Sequence, residues 1–184
     1  TLRYSKGELV DTVTTDESGF AKSRELYLGK YEVKEVKAGY GMVLSDEVHT
    51  VEIVFAGQNV AVTETATSFV NERQKVKISL EKALETHDLF GIGNNGEIKN
   101  ISFGLFADEE LVSASGTAIP KDGLIEIITL DEIGKATVKT DLPLGSFYVK
   151  ELATDEHYIL SDTKHPVIFE YAGQETATVK IAVN

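Results

Sequence analysis

The chain has 184 residues, which is enough for one or two domains that each bury a hydrophobic core. Its net charge of −12 argues against nucleic acid and anionic membranes as partners, and no apolar run approaches the length of a membrane span. The absence of cysteine excludes disulfides and thiolate metal sites. No signal peptide, sorting signal or lipidation motif is visible, so we expect the chain to be a piece of a longer protein.

Apolar and polar residues alternate with period two along most of the chain, which predicts strands separated by turns rich in Gly, Asp and Pro. The Ala-Gly-Gln tripeptides at 56–58 and 172–174 are predicted hairpin tips. Short helical turns are predicted around Leu84–Leu89 or Ser23–Tyr27. The pattern therefore indicates an all-β protein made of tandem immunoglobulin-like β-sandwich domains. The predicted strands are Leu9–Thr14, Gly29–Val36, Thr50–Ala56, Val60–Val70, Val76–Lys82, Ile101–Phe106, Leu124–Leu130, Ser146–Leu152, Val167–Ala172 and Thr176–Val183.

The chain contains an internal repeat. A shift of 116 positions aligns Leu26–Gln58 with Leu142–Gln174 without a gap, and 14 of the 33 pairs are identical. Upstream, a shift of 115 aligns Asp16-Glu17 with Asp131-Glu132. This repeat indicates a duplicated module of a little over a hundred residues.

The repeat predicts two domains, residues 1–74 and residues 75–184. The first copy is expected to be truncated at its N-terminus, because the counterpart of roughly Val76–Ser115 is missing from it. The second copy is expected to lack its last strand, because the partner of Asn71 would fall at position 187.

Charged residues fall on the side of several strands that should face the core. Glu35 shares a strand face with Val33, and Glu151 repeats that arrangement beside Val149. Lys82 ends a strand whose inward positions are otherwise apolar. A lone buried charge is costly, so two interpretations stay open at this point. Either these groups reach water or pair in a partly buried salt bridge, or they carry out a reaction.

The order of these motifs resembles the Cna B-type (SpaA-like, prealbumin-like) domains of Gram-positive surface adhesins and pilins. The resemblance covers essentially the whole chain. The matching pieces are Ile78-Ser-Leu-Glu-Lys82, Phe103-Gly-Leu-Phe106 and Leu144–Glu151 in the second copy, and Leu28–Glu35 and Phe69-Val-Asn71 in the first copy.

The resemblance implies an intramolecular Lys–Asn isopeptide bond that forms without a cofactor. Because burial disfavours the charged forms of an amine and a carboxyl group, a buried lysine can act as a neutral nucleophile and a buried glutamate as an acid and base. Lys82 matches the amine donor, and Glu151 and Glu35 match the catalytic carboxylates. Asn71 matches the acceptor of the first copy. Asn184 is a candidate acceptor of the second, with an acceptor beyond residue 184 as the alternative, because alternation along the strand turns Asn184 outward.

The resemblance also implies a role. The expected function is that of a stalk or spacer module of an adhesin or pilin, extracellular and attached to the cell wall through its parent protein. Its expected partners are neighbouring domains of that protein, and membrane insertion is not expected. An enzyme with turnover is disfavoured, because the four histidines lack metal-ligand spacing and no nucleophile motif is present.

The main alternative is a sandwich that binds a host matrix protein or a glycan without a crosslink. Its candidate residues are Tyr40, Tyr158 and the Asn94-Asn95 pair. That pair lies in the Gly/Asn-rich segment 85–100, which is interpreted as a solvated loop, with a ligand-binding loop as the alternative. The acidic run Asp108-Glu109-Glu110 is interpreted as a solvated turn, with calcium binding as the alternative.

Overall fold

The structure is a computed structural model, and it describes residues 3–112 and 115–184. Regular structure within these ranges consists of strands and one short 3-10 helix, Glu97–Asn100, so the predicted all-β class is confirmed. No helix in the described part of the chain is long and apolar enough to span a membrane. The strands are β1 (Gly29–Lys34), β2 (Val48–Ile53), β3 (Lys75–Glu81), β4 (Ser102–Ala107), β5 (Leu111–Val112), β6 (Ala118–Ile119), β7 (Leu124–Thr129), β8 (Lys135–Thr137), β9 (Gly145–Ala153), β10 (His165–Phe169) and β11 (Thr178–Val183).

The chain divides into two compact units. The first unit comprises Thr1–Val36 and Ser45–Val70, and the second comprises Lys37–Leu44 and Asn71–Asn184. The second unit therefore includes a short segment from within the first repeat. The division into domains at residues 74 and 75 remains a prediction.

Two sheets make up most of the second unit. One sheet has the strand order β10-β9-β4-β7 and is antiparallel throughout. The other has the order β11-β3-β8, in which β11 runs parallel to β3 and β8 runs antiparallel to it. A separate small hairpin pairs β5 with β6. This arrangement is a β-sandwich in which the first and last long strands of the unit are neighbours.

The core lies between these two sheets because alternate residues of each strand point to the same side. In β9, Phe147, Val149 and Glu151 are buried, and in β3, Ile78 and Leu80 are buried while their neighbours along the strand are exposed. One buried apolar cluster joins the sheets, and its members are Ile78, Leu80, Ile101, Phe103, Leu105, Ile128, Leu130, Leu142, Phe147, Val149, Val167, Phe169 and Val183.

The first unit has much less regular structure. Strands β1 and β2 form an antiparallel pair with Gly29 opposite Ile53 and Lys34 opposite Val48. None of the described residues of this unit is buried. The strands predicted at Leu9–Thr14 and Val60–Val70 are not formed, so those two predictions were wrong.

The repeat explains which strands are missing. Strands β1 and β2 are the counterparts of β9 and β10, which pair with each other. Residues 9–14 are the counterpart of β7, which pairs with β4, and residues 62–67 are the counterpart of β11, which pairs with β3. Residues 1–74 contain no segment that aligns with β3 or β4. The two segments therefore lack the neighbours that hold their equivalents in the second unit.

Other local predictions also differ from the structure. The helical turns predicted at Leu84–Leu89 and Ser23–Tyr27 are absent, and the short strands β5, β6 and β8 were not predicted. The second Ala-Gly-Gln tripeptide is not a hairpin tip, because it connects β10 in one sheet to β11 in the other. Alternation alone could not show this, since it does not reveal which strands pair.

The side chain of Gln74 forms hydrogen bonds with the backbone of the connection between β10 and β11. Its side chain is 2% exposed. Its Nε2 donates to the carbonyl oxygens of Gly173 (3.0 Å) and Thr176 (2.6 Å), and its Oε1 accepts from the backbone N–H of Ala172 (2.8 Å). One amide side chain thus satisfies three backbone groups of the turn.

We expect Gln74→Ala to lower the free energy of unfolding of the second unit by about 1–3 kcal/mol, because partners of a buried amide lose their hydrogen bonds. Urea unfolding followed by far-UV circular dichroism measures the loss. Gln58→Ala, at an exposed position, is the control and is expected to leave stability unchanged. Equal effects of the two substitutions would contradict the role assigned to Gln74.

Candidate functional site

Lys82 and Glu151 meet across the core of the second unit. Lys82 directly follows β3, so the alternation that buries Ile78 and Leu80 also turns its side chain inward. Glu151 lies on β9 in the facing sheet and continues the inward row that contains Val149. The two charged side chains therefore meet between the two sheets.

Lys82 and Glu151 form an ion pair in which one carboxylate oxygen accepts no hydrogen bond from the described residues. Lys82 Nζ lies 3.4 Å from Glu151 Oε1, and the lysine side chain is 32% exposed while the glutamate side chain is 2% exposed. Glu151 Oε2 accepts a hydrogen bond from the backbone N–H of Ser161 at 2.8 Å. Glu151 Oε1 is buried and has no hydrogen-bond partner within residues 3–112 and 115–184. A buried carboxylate oxygen that accepts no hydrogen bond is costly, even with a lysine ammonium 3.4 Å away.

A cavity of about 330 Å³ surrounds the pair. Phe103, which lies opposite Glu151 in the pairing of β4 with β9, forms part of its wall. Asn184 lines the same cavity as Lys82 and Glu151. It follows the buried Val183, and the residue as a whole is exposed. The cavity is large enough for side chains to rearrange around the amine and the carboxyl group.

Gly134 holds the backbone of Lys82 in place. The N–H of Lys82 donates to the carbonyl oxygen of Gly134 at 2.8 Å. Gly134 has a φ of 78°, and a Cβ atom at this position would lie 2.2 Å from the carbonyl oxygen of Lys82. Only glycine permits both this conformation and this approach. The turn before β8 therefore fixes where the lysine side chain begins.

Comparison with known proteins identifies the family to which this chain belongs. The family model described as SpaA, prealbumin-like fold domain, matches residues 1–68 and 91–183. The chain belongs to the SpaA family of prealbumin-like fold domains. The family that the sequence motifs resembled is thereby confirmed, and so is the prealbumin-like fold.

Individual relatives of this SpaA-family chain are longer proteins. The chain is 30% identical over 80 residues to the trypsin-resistant surface T6 protein of Streptococcus pyogenes, which covers 42% of this chain and 15% of that protein. Its structure is similar to that of the Bacillus anthracis TIE protein, with a TM-score of 0.56 and 23% identity over 94% of this chain and 27% of that one. The similarity to the Bacillus anthracis TIE protein concerns the fold alone. The chain spans well under two thirds of the length of either protein.

The carboxylate of the first SpaA-type copy repeats one contact of the second. Glu35 Oε2 accepts from the backbone N–H of Ser45 at 2.8 Å, as Glu151 does from Ser161. Asn71 Nδ2 donates to the carbonyl oxygen of Val43 at 3.1 Å. Glu35 belongs to the first compact unit and Asn71 to the second. Their roles as catalyst and acceptor remain predictions.

In this SpaA-family chain, Asp108 and Glu109 of the acidic run form an ion pair and a hydrogen bond with other residues of the chain. Asp108 lies 3.7 Å from Lys121 Nζ, and Glu109 Oε1 accepts from the backbone N–H of Ser146 at 2.8 Å. No group of three or more acidic or histidine side chains suited to a metal ion occurs in the described part of the chain. The acidic run is therefore best interpreted as a turn that contacts its neighbours.

The candidate ligand-binding aromatics also have neighbours within the SpaA fold. The ring of Tyr40 packs edge-on against Tyr171 with the centroids 4.9 Å apart. The hydroxyl of Tyr158 donates to the carbonyl oxygen of Glu85 at 2.7 Å. Tyr40 contacts Tyr171 and Tyr158 contacts Glu85, so these contacts do not join the two tyrosines into one aromatic cluster.

The loop at 85–100 is held by a carboxylate that sequence reasoning missed. Glu97 is 7% exposed, and its two oxygens accept from the backbone N–H groups of Gly93 (3.0 Å) and Asn95 (2.7 Å). A second buried carboxylate, Asp155, accepts from the side-chain amide of Asn100 at 2.6 Å. Nothing in the strand pattern signals these residues, because both lie outside strands.

We expect the stability of the second unit to fall as pH rises above 6.5, the ordinary pKa of histidine. His157 Nδ1 lies 2.6 Å from Asp155 Oδ1, and this hydrogen bond raises the pKa of His157. A raised folded-state pKa gives stabilisation that is complete below the unfolded pKa and is lost as pH rises through the folded pKa. The midpoint of urea unfolding, measured from pH 6 upward, reports this loss.

His157→Gln is expected to remove this pH-dependent step, because glutamine does not titrate. His87→Gln is the control, since the His87 ring contacts Phe90 rather than a carboxylate. An identical pH dependence in His157→Gln and in the unaltered chain would contradict the assignment.

Proposed function

We propose that the chain is a structural module of a Gram-positive cell-surface protein, an adhesin or a pilin, that closes its own covalent crosslink. The observation that carries the proposal is the buried Glu151 Oε1, which lacks a hydrogen-bond partner among the described residues and lies 3.4 Å from Lys82 Nζ. Membership of the SpaA family and partial similarity to a streptococcal surface protein support the structural role.

The proposed reaction joins Lys82 Nζ to the side-chain carbon of an asparagine. Transfer of one proton from the lysine ammonium to Glu151 neutralises the buried carboxylate and the partly exposed lysine and leaves a nucleophilic amine. The protonated carboxyl group then donates a hydrogen bond to the asparagine carbonyl oxygen and polarises it. The new C–N bond forms as the old bond to Nδ2 breaks. Glu151 relays the proton from the attacking amine to the departing nitrogen, which leaves as ammonia.

Asn184 is the proposed acceptor in this chain. It lines the same cavity as Lys82 and Glu151, and β11 runs beside β3, which brings the end of one strand to the end of the other. The reaction requires the side chain of the exposed Asn184 to turn toward Lys82. The product is a neutral amide and Glu151 keeps a proton, so the reaction also removes the costly buried charge of Glu151.

In the proposed role, the bond ties the first long strand of the module to the last. It cannot be reduced, unlike a disulfide. Modules of this kind in series would form a stalk that carries other domains away from a cell wall, with neighbouring domains of the same protein as partners. Measurement of the intact mass tests the proposal, because bond formation releases ammonia.

A further inference from the structure

Glu151 has one carboxylate oxygen open to the crosslinking chemistry. Its Oε2 already accepts a hydrogen bond from the backbone N–H of Ser161 at 2.8 Å, while its Oε1 lies 3.4 Å from Lys82 Nζ. The proposed reaction needs one proton to leave the attacking amine and one to reach the departing nitrogen. With a single open oxygen, Glu151 performs these two transfers in succession. A second proton acceptor beside Lys82 would let them proceed together.

Two further side chains that line the cavity are able to take up a proton, those of Glu81 and His165. Glu81 lies at an exposed position of β3, next to the inward-facing Leu80, and pairs with Lys135 Nζ at 3.8 Å. Its carboxylate is therefore on the outer face of the strand and already has a cationic partner. His165 is the better candidate for the second acceptor.

Strand β10 places His165 on the side of the sheet that faces the core. His165 begins this strand, and the alternate positions that follow it are the buried residues Val167 and Phe169. It lies opposite Val149 in the pairing of β10 with β9, and Glu151 is the next inward position along β9. The residue is only partly buried, so a proton that its ring takes up can exchange with solvent.

The equivalent histidine of the first unit, His49, is held by two partners. Its Nδ1 contacts Thr67 Oγ1, and its Nε2 lies 3.1 Å from Glu47 Oε2. Under the shift of 116, the positions of these partners are occupied in the second unit by Val183 and Thr163. No hydrogen bond or ion pair joins the ring of His165 to another residue in the part of the chain that the structure describes. Its ring is therefore available as a proton acceptor.

We propose that His165 accepts the proton that the Lys82 amine loses as it bonds to the asparagine carbon, an inference that rests on the crosslinking reaction proposed above. The lone pair of the amine forms the C–N bond, and the proton of the amine passes to a ring nitrogen of His165. Glu151 meanwhile delivers its proton to the departing nitrogen, which leaves as ammonia with the electrons of the broken bond. The imidazolium then returns its proton to the Glu151 carboxylate, so the overall balance of the reaction is unchanged.

The proposed transfer depends on pH. Imidazole changes its charge between pH 5 and 8, and only the neutral ring accepts a proton. The charged side chains that line the cavity with His165 are Glu81 and Lys82, at the end of β3, and Glu151 on β9. We therefore expect the rate of crosslinking to rise with pH through this range.

The test follows the rate of crosslinking in the full chain. Lys82 is introduced as a photocaged lysine, whose amine is released by light. Because the lysine side chain is 32% exposed, the cage can project into solvent. Mass spectrometry of the intact chain then measures the loss of ammonia with time, at several values between pH 5 and 8. We expect His165→Ala to slow this loss by about tenfold or more and to abolish its rise with pH, and we expect added imidazole to restore both.

Two further variants make the test specific. His165→Gln keeps a polar side chain that does not titrate, so we expect it to fold like the unaltered chain and to lose the pH dependence. His87→Ala is the control, because its ring contacts Phe90 and does not line the cavity, and we expect it to keep the rate and the pH dependence of the unaltered chain.

Three results would overturn the role of His165. Equal rates and pH profiles in the unaltered chain and in both His165 variants would refute this role while leaving the crosslink itself intact. A slow reaction in His165→Ala that imidazole does not restore would show a structural effect rather than proton transfer. An absence of ammonia loss in the unaltered chain after illumination would contradict the crosslink, and with it any part that His165 plays in its formation.

Discussion

The intact chain is expected to weigh about 17 Da less than its sequence mass, the loss of one ammonia on amide formation. Lys82→Arg and Glu151→Gln are each expected to restore the full sequence mass, the first by removing the amine and the second by removing the acid and base. The bond would enclose about a hundred residues, which on the chain-entropy account adds roughly 4–5 kcal/mol to the free energy of unfolding. Mass spectrometry of the intact proteins and urea unfolding measure the two effects.

Matched controls separate the reaction from general damage to β3. Lys77→Arg changes an exposed lysine of the same strand and is expected to keep the lower mass. Asn184→Ala is expected to restore the sequence mass, because it removes the proposed acceptor. An unchanged mass in the unaltered chain would refute the crosslink between Lys82 and Asn184. Lys82 and Glu151 would then be an ion pair, and removal of one partner would cost about 3–5 kcal/mol without any change in bonding.

Phe147→Ala is expected to lower the free energy of unfolding of the second unit by about 3–5 kcal/mol. Phe147 is 1% exposed and belongs to the apolar cluster between the two sheets, so truncation leaves a cavity that neighbouring strands cannot fill. Urea unfolding of the purified variant measures the loss.

The repeat provides the control for this substitution. Tyr31 is the counterpart of Phe147 on β1, where the unit has no buried residue among those described. Tyr31→Ala is therefore expected to change the main unfolding transition by less than about 1 kcal/mol. Equal losses from the two substitutions would mean that the first unit has a core comparable to that of the second.

Strand positions in the second unit followed closely from the sequence because alternation reports burial directly. Val149 and Glu151 were predicted to share the inward face of their strand, and both residues are buried. Strand β8 was missed because three residues cannot establish a period. The strands at residues 9–14 and 60–70 were predicted from the same alternation, but strand formation also depends on pairing partners far away in the chain, and residues 1–74 contain no segment that aligns with β3 or β4.

The candidate site was predictable only in part. The inward direction of Lys82 and Glu151 followed from their strands, but the sequence pattern contains no information on the distance between residues in two different sheets. A partly buried salt bridge between them was one of the interpretations left open by the sequence, and the family resemblance implied a reaction between them. The carboxylates Glu97 and Asp155 gave no signal, because both lie in irregular segments, where Glu97 accepts from backbone N–H groups and Asp155 contacts the side chains of Asn100 and His157.

The parallel pairing of β3 with β11 has a mechanical consequence. Lys75 lies opposite Thr178 and Leu80 opposite Val183, so the two strands run side by side in one direction for about 20 Å. A pull on the start of β3 against the end of β11 slides the strands along each other, and their hydrogen bonds bear the load together in shear. An antiparallel pair pulled from its adjacent ends would open like a zipper, one bond after another.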